Sequence, residues 1–309
     1  MVKRKVKLSN VSGWAGTAAG AFNAHTVVLD IPTGPRYHVG WIYGNAGAAK
    51  KFTDLFNEIR IKINGRTQRT FTALELLKIN VLNGLLYTGR NGNAAATAFQ
   101  IPIWFAEPWR KSLVSQDALA WGTGDVSTFQ IELDVQAYAG AAAGLIAPTF
   151  YAEVDNSLVR QGQEQVQQPL GLITKWIKTQ IPITQANAVN EFGGLKDLQG
   201  AIQSLHLSDS NLSAFQILVD NSVIREDTVA GNQTGLEGRE MQPNPTTNND
   251  FPTRNMYDVV FDHDDILANA LPLVIGDRRV NSVLARLTEN GGTVSRNIAT
   301  IAQVIGNAE

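Results

Sequence analysis

Apolar and polar residues alternate with a period of two along most of the chain. Ile59, Ile61 and Ile63 fall on one face of one such run. Arg60 and Lys62, between them, fall on the opposite face. This pattern is typical of a β-strand with one buried and one solvated face. Further runs of the same kind in the first half predict strands at 25–31, 37–43, 99–105, 128–135 and 149–154.

Turn and helix signals fill the gaps between these strands. Asn64 and Gly65 tolerate positive φ, which predicts a type I′ hairpin into a strand over 66–71. Helical periodicity is confined to 72–80, behind a possible Thr72 cap, and to 115–121. The chain is therefore predicted to be all-β, with a few short helices in the connecting loops.

The second half repeats the order of elements in the first. Four pairs of segments correspond: 59–65 with 215–222, 101–105 with 256–261, 128–135 with 280–287, and 149–154 with 297–304. The starting residues of these pairs lie 156, 155, 152 and 148 residues apart, about half of the chain in each case. Insertions and deletions would have blurred a chance similarity, so we interpret the pattern as an internal duplication.

Irregular stretches predict how the chain is divided. Residues 160–169 lack an apolar pattern and are interpreted as a linker. A long irregular stretch over 228–253 takes the place that 72–98 holds in the first half, which suggests that this edge contacts partners. The predicted organisation is a basic N-terminal arm over 1–22, a first sandwich over 23–160, a linker over 161–171 and a second sandwich over 172–309.

Composition narrows the possible functions. The 309 residues include 26 basic and 28 acidic side chains, a net charge of −2, which argues against direct sequence-specific binding of nucleic acid. The chain has no cysteine, which excludes disulfide scaffolds, zinc–thiolate sites, iron–sulfur clusters and cysteine nucleophiles. No segment approaches the roughly 18 apolar residues of a membrane-spanning helix.

No motif predicts a catalytic, cofactor or metal site. The four histidines are scattered, and the chain lacks the Gly-x-Ser-x-Gly elbow of many serine hydrolases and a phosphate-binding loop. The densest acidic spot is Asp-His-Asp-Asp at 262–265. Asp262, Asp264 and Asp265 offer oxygen ligands to Ca²⁺, but the last two also suit the start of a helix at Ile266. The sequence leaves calcium binding there open.

Four basic residues cluster at the N-terminus: Lys3, Arg4, Lys5 and Lys7. The stretch that follows them is too polar to be the apolar region of a signal peptide. We interpret the cluster as a short basic arm. It is either solvated or contacts phosphates, including the anionic headgroups of a membrane.

The order, spacing and strand character of several segments resemble a known family. These segments are 58–66, 71–77, 99–105, 118–123 and 129–135 in the first half, and 214–220, 257–261 and 280–287 in the second. They look like the double jelly-roll major capsid proteins of icosahedral viruses with an internal membrane, most closely those of corticoviruses, in the lineage of tectiviruses and adenovirus hexon. The resemblance spans about residues 25–305. It implies two tandem eight-stranded jelly-roll β-sandwiches.

The resemblance also implies a structural role without enzymatic activity. Three chains would form a pseudo-hexagonal homotrimer that tiles an icosahedral shell, because two sandwiches per chain turn threefold symmetry into approximate sixfold symmetry. Implied partners are other copies of the chain in the trimer and in neighbouring capsomers, a vertex (penton) protein, minor membrane-associated capsid proteins and an internal lipid membrane. The implied location is the virion capsid, assembled in the host cytoplasm.

Two alternatives of another class remain. Paired jelly rolls also occur in secreted glycan hydrolases, which place two carboxylates in one groove, and Glu132, Asp134 and Glu153 are candidates for such a pair. A carbohydrate-binding protein would instead expose aromatic platforms. The tryptophans suit a subunit interface or, more commonly, the core: Trp14, Trp41, Trp104, Trp109, Trp121 and Trp176.

Overall fold

Strands dominate the part of the chain that the structure, a computed structural model, describes. That part comprises residues 3–8, 10–15, 21–46, 51–84, 91, 98–138, 145–209, 211–243, 254–262, 267–275, 278–291 and 296–308. The chain divides into two units. The first is Met1–Ile173 with Thr246–Pro252 and Asn307–Glu309, and the second is Thr174–Pro245 with Thr253–Gly306.

The first unit is built from two sheets. Its strands are β1 (Arg4–Leu8), β2 (Asn10–Ser12), β3 (His25–Ile31), β4 (Arg36–Ala46), β5 (Phe56–Ile63), β6 (Arg66–Thr72), β7 (Ala98–Trp104), β8 (Trp121–Gly122), β9 (Phe129–Val135), β10 (Leu145–Asp155), β11 (Leu158–Gln161) and β12 (Glu164–Gln167). Its helices are α1 (Phe52–Leu55), α2 (Ala73–Leu82) and α3 (Leu113–Asp117). One sheet has the order β1-β10-β4-β7, with β8 beside β4, and the other has the order β6-β5-β9-β3-β2. Strands β11 and β12 form a separate hairpin.

The core of the first unit lies between these two sheets. Ile59, Ile61 and Ile63 are at most 1% exposed, as the alternating pattern predicts. Aromatic side chains join the sheets: the rings of Tyr37 on β4 and Phe129 on β9 meet edge to face, with centroids 5.2 Å apart. Such pairs contribute stability beyond the apolar area that they bury.

The second unit is likewise built from two rows of strands and has its own core. Its strands are β13 (Leu172–Ile183), β14 (Val189–Phe192), β15 (Ala201–Leu207), β16 (Leu212–Val219), β17 (Ser222–Thr228), β18 (Tyr257–Val260), β19 (Leu271–Pro272), β20 (Val274–Ile275), β21 (Arg278–Arg279), β22 (Val283–Glu289) and β23 (Arg296–Asn307). Helix α4 spans Val229–Glu237, and 3₁₀ turns lie at Gly194–Asp197 and Leu267–Asn269. The strand orders are β18-β15-β23-β13, with β19 beside β15, and β14-β22-β16-β17. Between them lies a cluster of buried apolar side chains that includes Phe215, Ile217 and Leu287.

The two units share one topology. The row β1-β10-β4-β7 corresponds to β13-β23-β15-β18, and β3-β9-β5-β6 corresponds to β14-β22-β16-β17. Each unit is therefore an eight-stranded sandwich of two four-stranded sheets with jelly-roll connections. The predicted fold class, two tandem jelly rolls with few short helices, is confirmed.

Local details are duplicated as well. The hairpin between β5 and β6 has positive φ at Asn64 (50°) and Gly65 (76°), and the hairpin between β16 and β17 has it at Asp220 (48°) and Asn221 (67°). Thr72 caps α2 by accepting a hydrogen bond from the Glu75 N–H at 3.1 Å. Thr228, 156 residues later, caps α4 in the same way. The internal duplication thus extends to individual turns and helix caps.

A β-bulge also recurs in each unit. In β4, Val39 pairs with Glu153 and Tyr37 with Val154, so His38 is the extra residue. In β15, Ile202 pairs with Val304 and Ser204 with Gln303, so Gln203 is the extra residue. The carbonyls of His38 and Gln203 each accept a 2.9 Å hydrogen bond, from the N–H of Phe105 and Phe261 respectively. Bulges of this kind re-aim side chains and are retained as functional features of a fold.

Several sequence-based boundaries differ from the observed elements. The predicted arm over 1–22 contains β1 and β2, and the predicted linker over 161–171 contains most of the β11–β12 hairpin. Hydrogen bonding to a neighbouring strand stabilises segments whose composition alone indicates a loop. The second predicted helix lies at Leu113–Asp117 rather than at 115–121. The helix start expected at Ile266 lies outside the described residues, within which no helix is long and apolar enough to cross a membrane.

Candidate functional site: exposed edge strands and buried charged clusters

The four N-terminal basic residues lie on or beside β1, an edge strand of the first unit. Strand β1 pairs antiparallel with β10, which places Lys5 opposite Glu153 and Lys7 opposite Tyr151. Arg4, Lys5 and Lys7 are exposed, whereas Val6 and Leu8 are half-buried. The basic residues therefore belong to the sandwich, because Val6 and Leu8 alternate with them along β1 and face the core.

Each basic side chain near the start of β1 has a partner within the unit. The Lys5 ammonium lies 4.4 Å from the Trp41 ring centroid and donates a 3.1 Å hydrogen bond to the Tyr43 hydroxyl. The Lys3 ammonium forms a 2.9 Å ion pair with Asp117 on α3. Exposed cation–π contacts and surface ion pairs each contribute about 0–1 kcal/mol. These contacts hold β1 on the sheet without neutralising the surface around it.

An exposed apolar pair lies at the same end of the first unit as the start of β1. Strand β1 begins where β10 ends and β4 begins, since Arg4 pairs with Val154 and Arg36 with Asp155. The connection that contains α3 is tied to this end by the ion pair between Lys3 and Asp117. On α3, Leu113 and Val114 are 82% and 83% exposed. This end therefore presents two apolar side chains beside cationic ones.

A charged cluster surrounds the bulge residue His38. Its Nε2 lies 2.7 Å from Asp155 Oδ2, and its Nδ1 lies 2.9 Å from Asp117 Oδ1. Arg36 Nη2 adds a 3.0 Å hydrogen bond to Asp155. Burial alone would raise the pKa of Asp155, but hydrogen bonds from Ser157, His38 and Arg36 lower it to about 2. The bulge thus anchors the end of β10 to β4 and α3 through charge.

We expect Asp155→Asn to lower the free energy of unfolding at neutral pH by about 1–3 kcal/mol, since buried hydrogen bonds to a charged group are lost. The pKa of Asp155 is lower in the folded state than its ordinary 3.8, so its contribution is complete above about pH 4 and is lost as the pH falls towards 2. Urea unfolding at pH 3 to 7 measures the difference. Asp30→Asn, at an exposed carboxylate, is the control. A deficit in the Asp155→Asn variant that is constant from pH 7 to pH 3 would contradict the assignment.

The second unit contains a Ser–His–Asp arrangement that the sequence analysis did not find. His206 Nε2 lies 2.9 Å from Ser204 Oγ, and His206 Nδ1 lies 2.7 Å from Asp258 Oδ1. All three residues are at most 3% exposed. Ser204 Oγ also donates a 2.8 Å hydrogen bond to Gln303 Oε1, so its hydroxyl proton is not donated to His206. A substrate cannot reach this serine, and the arrangement therefore has a structural role.

Arg254 completes this buried cluster. Its guanidinium contacts both carboxylate oxygens of Asp258, at 2.7 and 2.9 Å. Burial alone would raise the pKa of Asp258, but the charge of Arg254 and the hydrogen bond to His206 lower it. The carboxylate is thus held ionised between two basic side chains inside the second unit.

The three carboxylates proposed for a glycan hydrolase are not brought into one groove. Glu132 and Asp134 on β9 are both ion-paired with Arg60, at 3.0 and 2.7 Å, whereas Glu153 lies on β10 in the other sheet. Burial would raise the pKa of both β9 carboxyl groups, but hydrogen bonds from Lys62 and Arg60 to Glu132, and from Arg60 to Asp134, lower it. A hydrolase needs one carboxyl group that stays protonated near neutral pH. The observed arrangement does not provide one.

The acidic segment at 262–265 is described only at its first residue. Asp262 is buried and accepts a 3.1 Å hydrogen bond from Gln203 Nε2, at the second-unit bulge. His263, Asp264 and Asp265 lie outside the described residues. Among the residues that are described, no group of three or more acidic or histidine side chains is arranged to hold a metal ion. Calcium binding there stays an untested alternative to the start of a helix.

The tryptophans divide between core and surface. Trp121 and Trp176 are buried, whereas Trp14, Trp41, Trp104 and Trp109 are half-buried. Trp41, Tyr43 and Tyr151 share the outer face of the β1-β10-β4-β7 sheet, but Lys5 lies over their rings. An aromatic platform for a sugar needs an open ring face, so this site does not favour the carbohydrate-binding alternative.

A second exposed edge lies in the second unit. Strand β17 is the last of its row and presents Val223 and Ile224, which are 50% and 46% exposed. In β6, the corresponding strand of the first unit, Gln68 takes the place of Ile224 and is 2% exposed, whereas Thr67, in the place of Val223, is exposed. The position of Ile224 is therefore buried in one unit and about half exposed in the other. An uncovered apolar edge strand is a site for pairing with another chain.

Comparisons with known proteins place these features in a family context. Residues 17–154 match the model of the viral coat protein P2 N-terminal domain. The fold is similar to the major capsid protein P2 of bacteriophage PM2, with a TM-score of 0.73 and 18% identity over 100% of this chain and 98% of that one. It is also similar to a chain of Sulfolobus turreted icosahedral virus (TM-score 0.60, 11% identity, 98% and 90% covered). A third similar structure is VP54 of the virus PBCV-1 (0.58, 9%, 98% and 93%). No curated protein sequence matches the chain.

These comparisons confirm the resemblance to double jelly-roll capsid proteins. The matched family and the solved structures are structural proteins of viral shells, so the alternative of a glycan hydrolase finds no support in them. The repeated order of strands in the two halves of the sequence predicted this similarity. The edge strands β1 and β17 and the buried cluster around Asp258 were missed.

Proposed function

We propose that this chain is a major capsid protein that works as a homotrimer, on the premise that residues 17–154 match the viral coat protein P2 N-terminal domain and that the whole chain has the double jelly-roll fold. The observation that carries the proposal is the duplicated topology of β1-β10-β4-β7 and β13-β23-β15-β18. Two similar sandwiches in one chain let three chains present six similar bodies. Such a pseudo-hexagonal block tiles a closed icosahedral shell with a single kind of subunit.

The partners of the proposed capsid protein follow from its place in a shell. Other trimers surround each trimer, a separate penton protein fills the fivefold vertices, and minor membrane-associated capsid proteins link the shell to an internal lipid membrane. Assembly takes place in the host cytoplasm, where the chain is made. These partners are those of the double jelly-roll capsid proteins that the chain resembles.

Chromatography of the purified chain with in-line mass measurement tests the proposed homotrimer. We expect a single species at about three times the 33.5 kDa chain mass, because the exposed edge strands of the two units are sites for pairing with other copies of the chain. Negative-stain images of that species should show a six-lobed outline. A stable monomer at micromolar concentration would contradict the proposal.

We further propose that the basic residues at the start of the chain face the membrane, with Lys3 and Arg4 contributing most. Both are exposed at the end of the first unit that also presents Leu113 and Val114. Lys5 and Lys7 lie farther along β1, where the Lys5 ammonium is engaged by aromatic rings. Anionic headgroups attract each nearby basic residue with about 1 kcal/mol, and adjacent apolar side chains add to the binding.

Replacing Lys3 and Arg4 by serine is expected to weaken binding to phosphatidylglycerol vesicles by about thirtyfold, since two such charges are lost. Vesicle flotation of the purified protein measures this effect. The matched control is the double variant Arg160→Ser and Lys196→Ser, which removes the same charge from exposed positions elsewhere. Equal flotation of both variants and the original chain would contradict a membrane-facing role.

A further inference from the structure

Within the described residues, two edge strands on different units have no strand paired to their outer side. Strand β1, of 5 residues, is the last of the row β1-β10-β4-β7, and β17, of 7 residues, is the last of the row β14-β22-β16-β17. The outer side of an edge strand carries N–H and C=O groups that a further strand can pair with. Each of these strands is therefore a possible half of an inter-chain sheet.

We propose that β17 of one copy pairs edge to edge with β1 of the next copy, so that the subunit boundary of the trimer is a continued β-sheet. This inference rests on the proposed homotrimer and specifies its interface. The partner of each edge is a second copy of this chain, and the contact uses backbone hydrogen bonds together with the side chains of the two strands.

The exposure of β17 is the first argument for a missing partner. Val223 and Ile224 are adjacent β-branched residues and are about half exposed, whereas Gln68, the counterpart of Ile224 in β6, is 2% exposed. A bulge sits at the same place in both strands, since the pairing shifts at Gln68 in β6 and at Ile224 in β17. A bulge at an edge often protects it from pairing, but the bulge in β6 is compatible with a buried strand. The bulge in β17 is therefore no obstacle to cover by another chain.

Charge is the second argument, and it favours pairing of β1 with β17 over pairing of either strand with a copy of itself. Strand β1 carries three basic side chains, those of Arg4, Lys5 and Lys7, and no acidic one. Strand β17 carries Glu226 and Asp227, while its single basic residue, Arg225, is half-buried. Two copies of β1 would repel each other, as would two copies of β17 at their acidic ends. Pairing of β1 with β17 brings opposite charges together.

A contact between two different edges also explains how three chains can form a closed ring. A contact between two different surfaces of the same chain is heterologous, and it generates either a ring or an open filament. Each chain offers one β1 edge and one β17 edge. A ring of three uses each β1 edge and each β17 edge, so neither of these two edges is left to template further growth.

Engineered cysteines test the pairing directly, because the chain contains no cysteine that could react in their place. Lys5→Cys is combined with Ile224→Cys in one chain, and Lys7→Cys with Ile224→Cys in a second variant that samples a shifted register. Each variant is treated with a short bismaleimide and run on a denaturing gel. We expect a covalent trimer as the largest product from at least one pair, and only monomer from each single-cysteine variant. The matched control is Lys5→Cys with Val189→Cys, because Val189 is 51% exposed on β14, the opposite edge of the β17 sheet.

The outcomes separate this inference from the homotrimer on which it rests. A trimer in chromatography with no β1–β17 cross-link, or with equal cross-linking of the β14 control, overturns the strand pairing but leaves the homotrimer. A monomer in chromatography overturns both. Cross-linked ladders longer than three chains overturn the closed ring.

Discussion

Replacing Asp258 by leucine is expected to lower the free energy of unfolding by about 3–5 kcal/mol, the largest effect of a single substitution that we predict. Asp258 is 2% exposed and lies between Arg254, at 2.7 Å, and His206, at 2.7 Å. Its removal leaves two basic side chains buried without their carboxylate, and an unpaired buried charge costs several kcal/mol. Urea unfolding followed by tryptophan fluorescence measures the change.

Two control variants identify the cause of this loss. Glu191→Gln breaks the ion pair with Arg286, in which both side chains are more than a third exposed, and it is expected to change the free energy of unfolding by less than about 1 kcal/mol. Adding Arg254→Met to Asp258→Leu removes the guanidinium charge that has lost this carboxylate and should restore part of the stability. If the double variant is no more stable than the single one, the loss comes from packing rather than from charge.

The double variant Val223→Asp and Ile224→Asp is expected to weaken formation of the proposed trimer by at least about thirtyfold while the monomer stays folded. Both side chains are about half exposed, so the monomer loses little burial. The trimer loses apolar contacts worth about 2–4 kcal/mol and gains charge beside Glu226 and Asp227. Analytical ultracentrifugation over a range of protein concentrations measures the dissociation constant.

A pair of exposed apolar residues elsewhere controls for a general effect of added charge. Val189 and Leu158 are 51% and 49% exposed, but neither lies on β17 or β1. The variant Val189→Asp and Leu158→Asp should leave the dissociation constant within a factor of a few. Dissociation of this control together with an intact Val223/Ile224 variant would place the subunit contact elsewhere.

The sequence predicted the strands that have one buried and one solvated face. Strand β9 alternates strictly in burial and β5 does so from Glu58 onward, and both were found from their pattern. Strand β13 was missed because the four consecutive residues 173–176 are all buried there, so the pattern carries no period of two. Strand β1 was interpreted as an arm because its basic residues hide the alternation of Val6 and Leu8. Helix α4 was missed because Gly231 and Gly235 lower helix propensity.

The charged clusters show where sequence reasoning ends. His206 and Asp258 are 52 residues apart, and only the pairing of β15 with β18 brings them together. Ser204 and His206 do share one face of β15, which was the only local signal available. The edges were equally hidden, because whether a strand is central or last in its row depends on sheet order. Sheet order is set by contacts between distant segments and leaves little trace in local composition.

The duplication also fixes the ratio in which the two sandwiches are produced. A shell built from two separate sandwich proteins would need both in equal amounts, and any excess of one would leave unfinished blocks. Here one translation product carries both sandwiches, so their stoichiometry is fixed at one to one whatever the level of expression. Covalent linkage also keeps the second sandwich at a high effective concentration near the first, which a pair of free proteins would have to achieve by binding.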